Sequence, residues 1–401
     1  MTNLNRRTLL GTTAAAGSMF LANMKAHAKF SGDEQLRGQI ERFERLPTRD
    51  LESLEDFRTS LRHFINTDFQ RAATRRAVAI FRESGLNPRD EVSMEDAIAM
   101  LESDPILMNQ TQAWITNQLA MWRDLQNAFH SDADRYLSEM ESADKSGPGM
   151  LELNPDMEIP PYTAYEIHNQ PGGYVGDPFA GHMYHYGTNN LYVHSNDQDA
   201  RHAAIAAAAP VPEDKKVMRC LDLGCSVGQS AIGLKERFPD AEVWGIDVGG
   251  PMVRYAHMRS ADLGIDVNFA QRLAEDTKFP DNHFDIVNAQ ILFHEVTIAA
   301  ANEIIREAHR VLRPGGRFLA LDGAFLVRQP RKTAYNRWRT WWTDQWNTEV
   351  HYIPYSEYDF TNAFRSVGFD VGSTKGPNYS GGTSHIEYDT SQDYIVGIKP
   401  V

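Results

Sequence analysis

From residue 217 to residue 399, short apolar runs alternate with segments of helical length. The runs are VMRCLDL, AEVWGID, IDVNFA, FDIVNAQ and GRFLALDG, followed by GFDVGST and YIVGIK. Parallel strands need a long crossover connection, usually a helix, so this alternation predicts a mostly parallel sheet with helices on both faces. We therefore expect an α/β fold with a doubly wound sheet of seven strands, one for each run.

The first run breaks into a glycine-containing turn within CLDLGCSVGQS, residues 220–230. A turn between a strand and a helix presents backbone N–H groups at the positive end of the helix dipole, where a negative ligand group is stabilised. The nicotinamide fingerprint G-x-G-x-x-G fails here, because its glycine positions hold Gly224, Ser226 and Gln229. The spacing that fits is Asp222-x-Gly224-x-Ser226-x-Gly228. This disfavours a nicotinamide-dependent oxidoreductase.

That spacing resembles the first motif of the class I S-adenosylmethionine-dependent methyltransferases, an acidic residue followed by G-x-G-x-G. Three more segments match the family in order and spacing: Asp247 at the end of the second strand, residues 269–287, and HRVLRPGGRFLALDG at residues 309–323. The resemblance implies a Rossmann-like methyltransferase sheet with S-adenosylmethionine as the cofactor. It covers residues 217–325 well and does not extend to residues 29–145.

The resemblance also implies which residues hold the methyl donor. Asp247 would accept hydrogen bonds from the ribose hydroxyls, and residues 269–287 would lie along the adenine. The residues assigned to the donor in this way are Asp222, Gly224, Ser226, Gly228, Asp247, Ala274, Glu275 and Asp276.

The match to the family departs at two positions. Ser226 replaces the middle glycine, and Leu273 stands where many relatives place an aspartate that binds the adenine amino group. Glu275 or Asp276 would substitute for that aspartate. A purely structural interpretation stays open as well, in which the first acid of the motif caps a helix and the acid after the second strand is solvated.

One histidine falls where the methyl acceptor is expected. In an open α/β sheet, ligands bind beyond the carboxyl ends of the strands, and His294 follows the fourth strand there. Because histidine titrates near neutral pH, we interpret His294 as a candidate general base. The alternative is that it starts a helix or packs.

A histidine- and tyrosine-rich segment, residues 162–202, lies outside the predicted sheet. It holds five of the 14 histidines and six of the 15 tyrosines. We expect His182, His185 and Tyr186 to form a lid or to line the acceptor pocket, with plain packing as the alternative. His182 and His185 are three residues apart, which leaves a metal interpretation open, but no carboxylate or third histidine falls at a ligand spacing that decides it, so no metal site is predicted.

A tryptophan cluster follows the fifth strand. Four of the seven tryptophans lie between residues 338 and 346, and Trp338 and Trp342 are at helical spacing. Two interpretations stay open: these side chains line the acceptor pocket, or they belong to a core.

The chain before the sheet has a helical pattern over residues 34–143. Two apolar stripes recur at helical spacing, first Leu51, Leu54, Phe57, Leu61 and Phe64, then Ile115, Leu119, Trp122, Leu125 and Phe129. Proline and glycine then become dense in residues 146–162. We predict an α-helical domain over residues 29–145, a linker and lid segment over 146–212, and the methyltransferase domain over 213–401.

The first 28 residues have the composition of an export signal. Arg6 and Arg7 precede a mild apolar stretch from Leu9 to Met24, and Ala26-His27-Ala28 is a small-x-small cleavage pattern. The paired arginines resemble a twin-arginine signal. We expect cleavage after Ala28, no stable membrane insertion afterwards, and a periplasmic or exported protein if the signal functions; otherwise the protein is cytoplasmic.

The net charge excludes one class of binding partner. A net charge of −14 argues against broad nucleic-acid binding, which needs a basic face. We expect a methyltransferase that acts on a small or medium-sized molecule. The alternative is an exported ligand-binding protein that keeps the fold but has no turnover.

Overall fold

The structure, a computed structural model, describes residues 39–40, 42–194, 196–322, 332–377 and 391–401. Its centre is an eight-stranded sheet in the order β3-β6-β5-β4-β7-β8-β10-β9. The strands are β3 (Leu151–Glu152), β4 (Arg219–Leu223), β5 (Glu242–Asp247), β6 (Asn268–Gln271), β7 (Phe284–Gln290), β8 (Leu312–Leu321), β9 (Asp370–Pro377) and β10 (Ser391–Ile398). A separate two-stranded ladder joins β1 (Gln39–Ile40) to β2 (Phe43–Glu44).

The predicted α/β sheet is confirmed, and it is mostly parallel. In the described sheet β10 runs opposite to the other seven strands and is antiparallel to both of its neighbours, β8 and β9. Besides the seven expected strands, β3 adds an eighth by pairing Leu151 with Phe269 and Glu152 with Ala270. This strand falls inside the predicted linker, because two residues are too few to show an alternating pattern.

Helices cover both faces of the sheet, which explains why the sequences of its strands are continuous apolar runs. Every residue of β7 is buried, and four of the five residues of β4 are buried. The chain connects β4 to β5 on one side and later returns to place β7 on the other. Ligands bind at the point where the strand order reverses in this way, beyond the carboxyl ends of the strands.

Five helices precede the sheet domain, and eight more follow within the described residues. The first five are α1 (Arg49–Phe64), α2 (Gln70–Glu83), α3 (Met94–Leu101), α4 (Pro105–Ser131) and α5 (Ala133–Ala143). The others are α6 (Ala180–Leu191), α7 (Ala200–Ala208), α8 (Gln229–Arg237), α9 (Gly250–Asp262), α10 (Ile298–Val311), α11 (Ala334–Trp346), α12 (Tyr352–Glu357) and α13 (Phe360–Ser366). In the described part of the chain, no helix combines the length and apolar character needed to cross a bilayer.

Helix α1 differs from its expected orientation. Its predicted apolar stripe is largely exposed, with Phe57 at 49% and Phe64 at 44%, whereas Arg62 is only 1% exposed. The Arg62 Nε donates to Asn190 Oδ1 at 2.8 Å, and its guanidinium also bonds Gln118. The buried face of α1 is thus polar and hydrogen-bonded, because α4 and α6 present amides rather than apolar side chains to it.

Candidate functional site

The turn after β4 adopts backbone conformations that small residues favour. Gly224 has φ +64° and Gly228 has φ +78°. A Cβ at Gly228 would lie 2.7 Å from Phe269 Cζ, so only glycine fits there. Ser226, where the family motif has glycine, also takes a left-handed φ of 50°. A non-glycine residue in this region is strained, and such strain is concentrated at functional sites.

Asp247 ends β5 and faces this turn. Its Oδ2 accepts from the Ser226 N–H at 2.9 Å, and its Oδ1 accepts from the Gly249 N–H at 2.8 Å. Burial raises the pKa of Asp247 to about 6, although the two backbone donors favour the ionised form. The two bonds fix the orientation of the carboxylate and leave it further lone pairs for a ligand.

A cavity of about 820 Å³, counting its open mouth, lies over the turn. Five of the predicted donor residues line it: Gly224, Ser226, Asp247, Ala274 and Glu275. Residues that the sequence analysis did not assign also line it, among them Tyr162, Tyr165, Tyr174, Tyr184, Arg272, Gln290, Leu292 and Glu295. The four tyrosines, which we call the tyrosine wall, belong to the histidine- and tyrosine-rich segment, so the cavity is bounded by the sheet domain and by that segment.

Three of the predicted donor residues do not line the cavity. Asp222 is 1% exposed within β4, and its Oδ1 accepts from Asn288 Nδ2 at 2.6 Å. Burial raises the pKa of Asp222 to about 7. Gly228 lies at the start of α8, and Asp276 pairs with Lys278. For these three the structure indicates support of the turn or surface pairing rather than contact with a ligand in the cavity.

Two polar atoms at the cavity are buried and lack a partner in the described part of the chain. Ser226 Oγ and Gln290 Nε2 have no hydrogen-bond partner among the residues that the structure describes. A buried polar group without a bond costs about 1–3 kcal/mol, so a polar ligand that reaches both would be favoured. Together with the Asp247 carboxylate, these atoms fit a molecule with hydroxyls and charged ends, such as S-adenosylmethionine.

The two acids suggested in place of the missing aspartate each have a partner within the chain. Tyr162 donates its hydroxyl to Glu275 Oε1, and Asp276 is engaged by Lys278. Neither acid is therefore unpaired in the position suggested for the missing aspartate.

His294, the predicted base, lies beside the cavity and is 6% exposed. Its Nδ1 is 2.7 Å from Asp322 Oδ1, and its backbone N–H donates to Asp322 Oδ2 at 3.0 Å. Burial lowers the pKa of His294, but Asp322, Glu349 and Glu295 outweigh burial and raise the pKa to about 10. In this state the ring is charged at neutral pH and has no lone pair with which to accept a proton, which argues against the general-base interpretation.

His294 belongs to a group that we call the histidine–carboxylate cluster: His168, His294, Glu295 and Glu349. His168 Nε2 is 3.4 Å from Glu295 Oε1, and its Nδ1 is 3.4 Å from Glu349 Oε1. Burial lowers the pKa of His168, but Glu295 and Glu349 outweigh burial and raise it. His168 and Glu349 were not predicted as site residues, because nothing in their spacing shows that they meet.

His182, His185 and Tyr186 are not among the residues that line the cavity, and their contacts are those of the packing alternative. His182 is 2% exposed and its ring lies 4.5 Å from that of Tyr255. His185 Nδ1 is 2.8 Å from the Tyr255 hydroxyl. Burial lowers the pKa of His182 to about 3, as expected for a neutral ring in a core. The two faces of their helix differ from the prediction. Tyr184 lines the cavity, whereas the two histidines are buried away from it.

Trp338 and Trp342 also lie in a core, together with residues of the helical region. The Trp342 ring meets Trp114 edge-on at 4.8 Å, and its Nε1 donates to Thr111 Oγ1 at 2.8 Å. Of the two interpretations left open, packing is therefore the one that the structure favours. The cluster connects α11 to α4 instead of facing a ligand.

Comparison with known proteins agrees with this geometry. Residues 220–316 match the family model described as a methyltransferase domain. The chain is 38% identical over 109 residues to the demethylmenaquinone methyltransferase of Thermus thermophilus, which covers 27% of this chain and 49% of that protein. It is 33% identical over 120 residues to the ubiquinone/menaquinone biosynthesis C-methyltransferase UbiE of Laribacter hongkongensis, over 30% of this chain and 48% of that protein.

The chain thus spans about half the length of the curated relatives it matches. The solved structure of the YcgJ protein from Bacillus subtilis is 21% identical and aligns with a TM-score of 0.36 over 50% of this chain and 98% of that one. The strand order, the glycine turn beside Asp247 and the matched segment coincide in one stretch of chain. Residues 220–316 are therefore similar to a methyltransferase domain, and they contain both the glycine turn and Asp247.

Proposed function

We propose that this protein transfers a methyl group from S-adenosylmethionine to a small-molecule acceptor. The observation that carries the proposal is the pair of unpartnered polar atoms, Ser226 Oγ and Gln290 Nε2, beside the oriented Asp247 carboxylate in one cavity. When bound, the donor supplies an activated methyl group. The chain's own contribution is to hold the two reactants in line and to exclude water, which supplies much of the catalysis in such a displacement.

Particular residues would divide this work. Asp247 would accept the ribose hydroxyls, Ser226 would hold a polar group at the glycine turn, and Gln290 would donate an amide N–H from the end of β7. The tyrosine wall would cover the acceptor on the side away from the donor. It includes Tyr165, Tyr174 and Tyr184. Aromatic walls with few polar atoms are typical of small-molecule sites. The alternative, a binding protein without turnover, shares the donor site and differs only in the reaction.

Donor binding is tested by calorimetry on the purified chain with S-adenosylmethionine, for the wild type and Asp247→Asn. Loss of a charged acceptor should weaken binding by on the order of 2–4 kcal/mol, which is roughly 30-fold to 1,000-fold. Asp281→Asn is the matched control, because this acid pairs with Arg310 and does not line the cavity. Unchanged affinity in a folded Asp247→Asn protein would overturn the assignment.

Turnover is tested with donor labelled in its methyl group and a small-molecule extract of the source cells. Label that moves into a small molecule, and less so with Asp247→Asn, is the expected result. Tight donor binding without any labelled product would favour the binding-protein alternative.

We also propose that the chain is exported after folding. The supporting residues are Arg6, Arg7 and the Ala26-His27-Ala28 pattern, all of which lie outside the described residues. A twin-arginine route carries folded cargo, so the donor would either be present outside the cytoplasm or be used before export. Cell fractionation, described in the Discussion, tests this.

A further inference from the structure

The adjacent residues His294 and Glu295 meet the distant His168 at the rim of the cavity. Among the residues that the structure describes, His168, His294 and Glu295 each offer one ligand atom, and these atoms all lie within 4.8 Å of one another. The His168 Nε2 is 3.4 Å from Glu295 Oε1, and the His294 Nε2 is 3.8 Å from the same oxygen. A fourth group, Glu349, places Oε2 3.8 Å from His294 Nε2.

These separations suit ligands around one ion. Bonds of about 2.0–2.2 Å in a tetrahedral arrangement separate neighbouring ligand atoms by roughly 3.4 Å. Two imidazoles and a carboxylate are a donor set that first-row transition ions accept, and three protein ligands leave coordination positions open. The two nitrogens and the oxygen therefore need no large movement to bind an ion, although the ion must displace the proton that charged His294 carries on Nε2.

The histidines are held by neighbours in the manner of metal ligands. His294 Nδ1 lies 2.7 Å from the buried carboxylate of Asp322, which leaves Nε2 to face the cluster. A carboxylate behind an imidazole fixes its tautomer and makes it a better ligand. On the other side, Asn347 Nδ2 lies 3.0 Å from His168 Nδ1 and also bonds Glu349.

The backbone at His168, one of the three candidate ligands, is strained. His168 and Asn169 have φ values of 53° and 58°, consecutive left-handed conformations without glycine. The carbonyl of His168 accepts from Gln118 Nε2 at 2.9 Å and Trp122 Nε1 at 2.7 Å. Such strain persists only when surrounding contacts enforce it, and here they aim the imidazole at Glu295.

A second observation points into the same site. The hydroxyl of Tyr165, which lines the cavity, is buried and has no hydrogen-bond partner within the described ranges. An ion-bound water or acceptor atom in the cavity would offer the partner that this hydroxyl lacks.

We propose that His168, His294 and Glu295 bind one divalent transition-metal ion at the acceptor side of the cavity, with Glu349 beside it. The role of the ion rests on the proposed methyl transfer. Because Glu295 lines the cavity, the open positions of the ion face the acceptor, whose class is then a small molecule with a metal-binding oxygen or sulfur. The ion makes that O–H or S–H more acidic. The proton leaves to solvent, the heteroatom bonds the methyl carbon, and the methyl–sulfur bond breaks with its electron pair left on sulfur.

The binding experiment uses the full chain without a histidine tag, stripped with EDTA and titrated with Zn²⁺ by calorimetry, with elemental analysis of the dialysed product. We expect about one ion per chain, and His168→Asn or Glu295→Gln should weaken Zn²⁺ binding at least 100-fold. Asp322→Asn should weaken it about 10–100-fold, the usual effect of removing the partner behind a histidine ligand. His168→Asn and Glu295→Gln are preferred over His294→Asn because their side chains are partly exposed, at 25% and 18%.

His130→Asn is the matched control. His130 Nε2 lies 2.8 Å from Asp177 Oδ2, so it is also a histidine–carboxylate pair, but it is not in the group of potential metal ligands found among the described residues. It should keep full Zn²⁺ binding. A wild type that binds no Zn²⁺, or variants that bind it as well as the control, would overturn the site.

Donor affinity is measured on each of the same proteins, which separates this proposal from the proposed function. Intact donor binding without metal binding rejects only the metal site, and the reverse rejects only the donor assignment. In the label-transfer assay, EDTA should abolish transfer and Zn²⁺ should restore it. Transfer that is insensitive to EDTA in a protein shown to bind Zn²⁺ would overturn the acceptor role of the ion.

Discussion

Trp122 donates its indole N–H to the backbone carbonyl of His168 across 2.7 Å. The donor belongs to the middle of α4, and the acceptor belongs to the strained loop at the rim of the cavity. The indole is confined on its other side, because a Cβ at Gly187 would lie 2.0 Å from Trp122 Cη2. The helical region therefore takes part in shaping the site, although no residue of α1 to α5 lines the cavity.

Trp122→Phe should keep most of the packing and remove this hydrogen bond. One donor to the His168 carbonyl remains, from Gln118, so we expect a loss of about 1 kcal/mol in the free energy of unfolding. Zn²⁺ affinity should fall several-fold while donor affinity changes less than threefold. Trp244→Phe is the control, since Trp244 Nε1 bonds Glu242 Oε1 in the sheet instead. Equal effects of the two variants on Zn²⁺ affinity would contradict the link.

Trp342→Ala should destabilise the protein and spare donor binding. Trp342 is 3% exposed between α4 and α11, and truncation of a buried aromatic costs about 3–5 kcal/mol. Urea unfolding followed by circular dichroism measures the loss. Trp346→Ala, at 37% exposure, should cost much less. A stable Trp342→Ala protein with poor label transfer would instead restore the acceptor-pocket interpretation.

Asp222→Asn should flatten the pH dependence of stability. Burial raises the pKa of Asp222 to about 7 from an ordinary value near 4, so its contribution to stability is complete below pH 4 and is lost as the pH rises through 7. The variant should gain stability relative to the wild type between pH 5 and pH 8, by up to a few kcal/mol on linkage grounds. Thermal unfolding at both pH values measures the difference. A gap that does not widen with pH would show that the carboxyl is ionised at little cost.

Gly228→Ala should damage both the fold and the donor site. The substitution puts a Cβ at φ +78° and 2.7 Å from Phe269 Cζ. Gly264→Ala is a matched control, because Gly264 has φ +65° with nothing within 4 Å of its Cβ position. The control should cost about 1–2 kcal/mol of strain with unchanged donor affinity. Unfolding by urea and donor calorimetry on both proteins separate strain from collision; equal behaviour would argue against a tight turn.

Arg6→Lys with Arg7→Lys should prevent export. Cells that produce the intact chain are fractionated beside cells that produce the variant, and the amino terminus of the mature protein is sequenced. The expected product of the intact chain is periplasmic and begins at or near Lys29, and it is lost with the variant. Full-length protein confined to the cytoplasm in both strains would make a cytosolic methyltransferase the better proposal.

The sheet was predictable because its information is local. Each strand is a short apolar run. The glycine turn and Asp247 follow such runs directly, so both can be identified within one continuous stretch of sequence. The histidine–carboxylate cluster could not be predicted, because His168, His294 and Glu349 come together only through tertiary packing. The burial of Arg62 on α1 was missed for the same reason: its amide partners, Asn190 and Gln118, lie on other helices.

The position of β10 in the sheet has a consequence for how the chain folds. β10 lies between β8 and β9, both of which precede it in sequence, so in the described sheet β9 has no neighbour until β10 inserts. Pairing Ile395 with Ala320 closes a long loop, and such non-local contacts form slowly. Until then the edge of β8 is open, and an open edge can template pairing with another chain. A nascent or truncated chain that lacks residues 391–398 should therefore aggregate even though its helices and remaining strands are intact.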